Sequence, residues 1–187
     1  MAFHSTQMTE PSPGVARPAD FTDAMAALAS GVVLVTSWLD GRPWGVTVSS
    51  FASVSAEPPT VLVSLRSETA SARAIAAAGR FGVSVLGRHH RAAARHGAKR
   101  GAAKFLERFS EEDGRGVNPS IAGALAHLDC DVTEQVQVAD HTIFIGRVRD
   151  VRTAVDGEPL VYFRRAYRAL AAGTYPSTRG RTPCFSS

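Results

Sequence analysis

Hydrophobic and polar positions alternate with a period of two along much of this chain, and the breaks in the alternation mark where strands end. From Gly45 to Arg66 the sequence reads GVTVSSFASVSAEPPTVLVSLR. Thr47, Ser49, Ser53 and Ser55 share one parity with Phe51 among them, whereas Val46, Val48, Ala52 and Val54 hold the other. Successive side chains of a strand point to opposite faces, so the pattern predicts one apolar face and one face lined with small hydroxyls. Pro58 and Pro59 stop this ladder, because proline has no N–H to donate, and a second apolar run follows from Val61 to Leu65. Two adjoining strands ending at a small polar shelf offer a seat for a flat polar ligand. A solvent-facing strand rich in Ser and Thr would give the same pattern.

The remaining elements follow from the same reading. Asp20 is placed to cap a short helix whose Phe21, Met25 and Leu28 fall on one face and which Gly31 would end. Val32 to Trp38 reads as a strand running into Asp40-Gly41, a pair that tolerates the positive φ of a two-residue hairpin. Ser67 can cap a helix over SETASARAIAAAG that Gly79 closes, and Phe81 to Gly87 is a further strand. The basic segment after Arg88 reads as helical pieces broken by Gly97 and Gly101, and Asn118-Pro119 as one more helix start. Leu128, Cys130, Val132, Val136 and Val138 alternate with polar residues, Glu134 being the only break. Asp140 to Val155 is apolar on both parities near Ile143, Phe144 and Ile145, as in a strand enclosed on both sides. Asp156-Gly157 then offers a turn before Leu160 to Phe163 and a short last strand around Tyr167. Strands that follow one another by short turns indicate a mainly β, antiparallel barrel with short flanking helices.

With 187 residues, the chain is of a length for one domain, expected over residues 19–171 between a flexible arm (1–18) and a flexible tail (172–187). A 44% hydrophobic and 20% charged composition excludes disorder throughout. The N-terminal stretch lacks the apolar core of a secretory leader and no apolar run approaches the ~20 residues of a membrane span, so a cytoplasmic protein is expected. Cys130 falls at an apolar strand position and Cys184 in the tail, and neither has metal spacing. The histidines form no HxH or HExxH pattern, so no bound metal is expected. The net charge of +4 is concentrated in RHHRAAARHGAKRGAAK, from Arg88 to Lys104, where no aromatic is interleaved to stack on bases. That segment is either a solvated helical face or a contact for a cofactor phosphate; nucleic acid is not an expected partner.

Three stretches, in order, resemble the flavin reductase components of two-component flavin-dependent monooxygenases. They are Gly45 to Leu65, with Ser49, Ser50, Phe51, Ser53, Val54, Ser55, Pro58 and Pro59; Asp140 to Val148, DHTIFIGRV; and Pro159 to Leu170, PLVYFRRAYRAL. The resemblance covers about Phe21 to Leu170. It implies a split β-barrel, usually a homodimer, that takes FAD or FMN and NADH as substrates and supplies reduced flavin to a separate monooxygenase. It departs from the family at Ala139, where a glycine is usual before the Asp-His pair.

By the same resemblance, Thr47, Val48, Ser49 and Ser50 run along the isoalloxazine edge, and Ser53 and Val54 continue that wall. Ser64, Leu65 and Arg66 lead to Ser67, Thr69 and Ser71 at a helix start, where unpaired N–H groups favour a phosphate; Ser67 acting only as a cap remains the alternative. His141 is the candidate for positioning nicotinamide, although a histidine at a strand start also serves structure alone. Arg165 and Tyr167 hold NADH or shape the flavin face, or else simply alternate between exposed and buried positions. Lys104 and Phe105 resemble a flavin-contacting pair of some members. No acid, base or nucleophile is demanded, because the two cofactors carry the electronic chemistry. An enzyme retaining FMN for its own small substrate is the first alternative, and a flavin- or nucleic-acid-binding regulator the second.

Overall fold

Seven strands pair antiparallel in one sheet, and the chain order alone forces that sheet to roll up. In the computed structural model, which describes residues 14–111, 117–154 and 157–170, helix α1 (Pro18–Ala26) precedes β1 (Ser30–Gly31), β2 (Val33–Leu39), β3 (Arg42–Val48), β4 (Phe51–Ala56) and β5 (Pro59–Arg66). Helix α2 (Ala70–Ala78), β6 (Arg80–Val85), a 3-10 turn (Arg88–His90) and α3 (Arg91–Ala98) follow. The long strands β7 (Ala126–Val138) and β8 (His141–Thr153) and the short β9 (Val161–Phe163) and β10 (Ala166–Arg168) complete the fold. The large sheet has the order β3-β2-β6-β7-β8-β5-β4, and β1-β9-β10 form a small one. β3 and β4 are thus opposite edges, yet only Ser49 and Ser50 separate them. Laid flat at ~4.8 Å per strand, the edges would lie about 29 Å apart. Three Cα steps reach at most about 11 Å. The sheet therefore curls until its edges meet at Ser49 and Ser50 without a ladder between them, which is the split barrel the sequence implied.

Local chemistry sets the turns. Asp40 and Gly41, at φ 52° and 71°, join β2 to β3, and Gly79 at φ 66° closes α2, both as expected. Ala139 adopts φ 50° in the β7–β8 hairpin, a left-handed conformation that explains why glycine is usual there. The core has two halves divided by β2, which is buried on both faces. Val33 and Val35 face the barrel interior with Val63, Phe81, Val83 and Phe144, and α2 plugs that interior with Ile75. Val32 and Leu34 face outward against Leu86, Ala93, Ala94 and Leu106, so α3 is held against the outside of β2 and β3. Each fully buried aliphatic side chain contributes roughly 1.5–3 kcal/mol of transfer free energy.

Several sequence expectations are corrected. The single hydroxyl-lined strand over Gly45 to Ala56 does not form, because the chain leaves one edge of the sheet after Val48 and re-enters at the other with Phe51. Parity is lost across that crossing and again at the irregularity between Ser53 and Ser55. Asp20 sits in the first turn of α1, where its carboxylate accepts two 2.8 Å bonds from Arg17, which occupies the cap position. Gly31 lies in β1 rather than at the end of α1, and Phe21, Met25 and Leu28 are exposed. Thr69, not Ser67, caps α2, accepting from the Ala72 N–H. Gly97 lies inside α3 rather than breaking it. No helix starts at Asn118, whose N–H and Nδ2 both donate to Asp129 Oδ1. β7 has two irregularities, at Asp129/Cys130 and at Val132/Glu134, rather than one. Of the β8 positions expected to be enclosed, Phe144 is buried while Ile143 and Ile145 are half-buried. The arm, the tail and Asp156 of the expected Asp156-Gly157 turn fall outside the described residues, apart from 14–18. Among the described residues no helix is long and apolar enough to cross a membrane.

Candidate functional site

The gap between β3 and β4 opens into a cleft of about 720 Å³, within the range of roughly 300–1,000 Å³ that ligand sites occupy. Its walls are strand ends and helix ends brought together by the rolled sheet. Val46 to Val48 end β3, Ser49 and Ser50 make the crossing, and Ser64 to Arg66 end β5. Thr69 starts α2, Gly97 to Lys104 leave α3, His141 starts β8, and Tyr162 and Tyr167 come from the small sheet.

Three of the hydroxyls singled out by the sequence build these walls. Thr47 Oγ1 donates to the Ala94 carbonyl at 2.9 Å and so fastens α3 to β3. Ser50 Oγ donates to the Ser64 carbonyl at 2.7 Å, and the Ser64 N–H donates to the Ser50 carbonyl at 3.1 Å, which pins the crossing to β5. Thr69 Oγ1 donates to the Arg66 carbonyl at 2.8 Å while it caps α2. Small residues here allow close approach. A Cβ on Gly97 would lie 2.5 Å from Thr47 Oγ1 and 3.0 Å from the Thr47 nitrogen, so only glycine lets the helix come this near.

The rim is charged and ordered. The β5–β8 register sets Arg66 opposite His141. Asp140, at the hairpin turn, accepts from Arg66 Nη2 at 2.7 Å through one oxygen and contacts His141 Nδ1 at 2.6 Å through the other. The Arg66 guanidinium, helped by His141, holds the Asp140 carboxyl well below the usual range, at about 2. An anionic Asp140 makes Nδ1 the protonated nitrogen and leaves Nε2 of His141 as the free one. Lys104 is half-buried, and loss of water lowers its pKa from the ordinary lysine value. Among the described residues no carboxylate lies within ion-pair distance of it. A partly dehydrated ammonium in a cleft is a receptor for a phosphate or an electron-rich ring edge.

Of the residues the sequence singled out, Thr47, Val48, Ser49, Ser50, Ser64, Leu65, Arg66, Thr69, Lys104, His141 and Tyr167 line this cleft. Five do not. Ser53 and Val54 lie along β4 beyond the crossing, displaced by the break in the strand. Ser71 is buried on α2, where its Oγ accepts from Trp44 Nε1 at 3.0 Å. Phe105 packs edge-on against Trp44 beneath the Arg42 guanidinium. Arg165 borders a neighbouring hollow. Arg100, Gly97, Gly101 and Tyr162 line the cleft without having been singled out; the concentration of charge between Arg88 and Lys104 was the available signal for Arg100.

Residues 25–171 match the family described as flavin reductase like domain. The actinorhodin polyketide dimerase of Streptomyces coelicolor is 41% identical over 162 residues, 85% of this chain and 91% of that protein. The reductase component of 4-hydroxyphenylacetate 3-monooxygenase from Thermus thermophilus is 36% identical over 150 residues, 80% of this chain and 95% of that one. Among solved structures, the NADH:FAD oxidoreductase of Streptomyces globisporus, in complex with NAD and FAD fragments, superposes with a TM-score of 0.74 at 30% identity, covering 86% of this chain and 99% of that one. The split barrel, the cleft at its seam and a match spanning most of the sequence together show that this chain belongs to the flavin reductase-like family.

Proposed function

We propose that the chain is an NADH-dependent flavin reductase that takes oxidised FAD or FMN as a diffusible substrate and supplies reduced flavin to a separate flavin-dependent monooxygenase. The observation that carries this reading is the seam cleft itself, floored by backbone and small side chains and edged by the half-dehydrated Lys104. A cavity of about 720 Å³ edged by a partly dehydrated cation that has no carboxylate partner among the described residues fits a planar ring bearing an anionic tail. Ser49, Ser50, Ser64 and Leu65 would border the ring, and Arg66, Thr69, Arg100 and Lys104 surround the anionic part. His141, fixed by Asp140, would position nicotinamide across the opening.

When bound, nicotinamide and isoalloxazine supply the hydride-transfer chemistry. The protein's share is to hold two flat groups in register and to keep water away from them. Alignment of this kind is worth up to roughly 7–11 kcal/mol of a barrier in well-oriented systems. The Thr47–Ala94 and Ser50–Ser64 bonds serve it by making the walls rigid. The same reading includes a homodimer, supported by the exposed Phe21 and Met25 on α1 and the exposed Leu28 just beyond it.

The test is NADH oxidation by dialysed protein with and without added flavin, and with a monooxygenase held across a dialysis membrane. Oxidation that requires added flavin and sustains hydroxylation across the membrane is the expected result. A yellow cofactor that resists dialysis, with no response to added flavin, would instead indicate an enzyme retaining its FMN.

A further inference from the structure

The hairpin that carries Asp140 and His141 to the cleft turns on a residue that is not glycine. Val138 pairs with His141, so Ala139 and Asp140 are the central residues of the β7–β8 turn. Ala139 takes φ 50°, and Asp140 does not take a positive φ. Two-residue hairpins with positive φ at the first central position favour glycine there, because a Cβ crowds the backbone. A second group has to hold Ala139 in this conformation, and Gln137 is placed to do so. Its Nε2 donates to the Ala139 carbonyl at 2.9 Å and to Ser67 Oγ at 2.9 Å. Ser67 Oγ lies 2.9 Å from Thr142 Oγ1, which donates to Gln137 Oε1 at 3.1 Å. With Ser67 as donor to Thr142, the side chains close a ring in which both amide protons and both hydroxyl protons are used. Bonds that run in one direction around such a ring strengthen one another.

The ring also ties the turn to the facing strand. Ser67 follows Arg66 at the end of β5, and its N–H donates to the Asp140 carbonyl at 3.0 Å. From the same turn Asp140 reaches both Arg66 and His141. Gln137, Ser67 and Thr142 are not among the residues that line the cleft, whereas Arg66 and His141 are. Whatever the ring contributes to the cleft therefore passes through the turn.

We propose that Gln137 is a positioning residue, which holds the Ala139 carbonyl in the left-handed turn and thereby fixes Asp140 and His141 at the edge of the cleft. The proposal rests on the reading of His141 as the group that positions nicotinamide, but its test separates the two. Gln137→Met, Ala139→Gly and the double variant are compared with wild type; Gln137 and Ala139 are both exposed, so the core is untouched. Exchange of the Ser67 amide hydrogen is followed by NMR in the ligand-free protein, and KM for NADH and for flavin is measured in steady state. Gln137→Met should speed Ser67 exchange about five-fold and raise KM for NADH by a similar factor, as expected when one hydrogen bond no longer holds the competent turn. KM for flavin and kcat should stay within about two-fold. Glycine at 139 needs no such hold, so in the Ala139→Gly background the same substitution should change either quantity by less than about two-fold. Ser67 exchange unchanged in Gln137→Met, exchange speeded equally in both backgrounds, or a rise in KM for flavin equal to that for NADH would overturn the proposal. Ser67 exchange that follows the expected pattern, with KM for NADH constant throughout, would uphold the hold on the turn and instead overturn the reading of His141.

Discussion

Replacing Gly97 by alanine should destabilise the protein and loosen the cleft, although alanine is the better helix former by ~1 kcal/mol. Gly97 is buried in the last turn of α3, where a Cβ would sit 2.5 Å from Thr47 Oγ1, 3.0 Å from the Thr47 nitrogen and 3.5 Å from its Cβ. The hydroxyl can move aside only by giving up its 2.9 Å bond to the Ala94 carbonyl, worth ~1 kcal/mol. The nitrogen cannot move without shifting β3, which is paired with β2 along its whole length. Overpacking of this kind costs about 1–3 kcal/mol. After the helix gain, a net loss of about 1–3 kcal/mol remains, and Tm should fall by about 2–4 °C for each kcal/mol in a chain of this size. Because α3 leads directly into Arg100 and Lys104, the displaced helix should also weaken flavin binding. Urea and thermal denaturation with a flavin fluorescence titration would measure both effects. Gly101→Ala is the control: φ is +67° but no atom lies within 4 Å of the added carbon, so only backbone strain of ~1–2 kcal/mol is expected. A Gly97→Ala protein as stable as wild type, with unchanged flavin affinity, would refute the close-approach reasoning.

Ser49→Trp places a large ring at the crossing between β3 and β4. It should abolish flavin binding with the far-UV spectrum retained; a folded variant of unchanged affinity would show that the ring lies elsewhere. His141→Ala should raise KM for NADH more than KM for flavin in steady-state kinetics, and the reverse order would remove its assigned role. Asp140, held at about 2, is more acidic than its ordinary value, so its stabilisation is present above about pH 4 and is lost as pH falls toward about 2. Denaturation curves of wild type and Asp140→Asn should therefore be separated at neutral pH and converge in acid. A separation that persists at pH 2 would contradict the Arg66–Asp140–His141 linkage.

Much of the fold could be read from the chain because its signals were local. The Asp40-Gly41 hairpin, Gly79 at the end of α2 and the existence of strand β7 each depend on a few neighbouring residues, although the alternation read along β7 does not hold, since Val136 and Val138 are exposed and Asp129 is buried. The seam was not legible, since no local pattern says that Val48 and Phe51 belong to opposite edges of a sheet. That depends on β2, β5, β6, β7 and β8 lying between them. The same long-range fact explains the site. Ser49, Ser50, Ser64 and His141 converge because the barrel rolls shut, while Ser53 and Val54 are carried off along β4. Thr47 and Ser50 lie at the cleft, where the hydroxyl bonds to the Ala94 and Ser64 carbonyls make them wall fasteners. Ser71 and Phe105 similarly turned out to pack with Trp44, a partner distant in sequence from Ser71.

Anaerobic mixing of the protein with NADH and excess oxidised flavin, followed by flavin absorbance, bears most directly on the seam cleft as a site that aligns two planar groups. Wild type should bleach many equivalents of flavin far faster than the protein-free mixture, and folded Ser49→Trp should not. Bleaching no faster than without protein, or equally fast in the tryptophan variant, would contradict it.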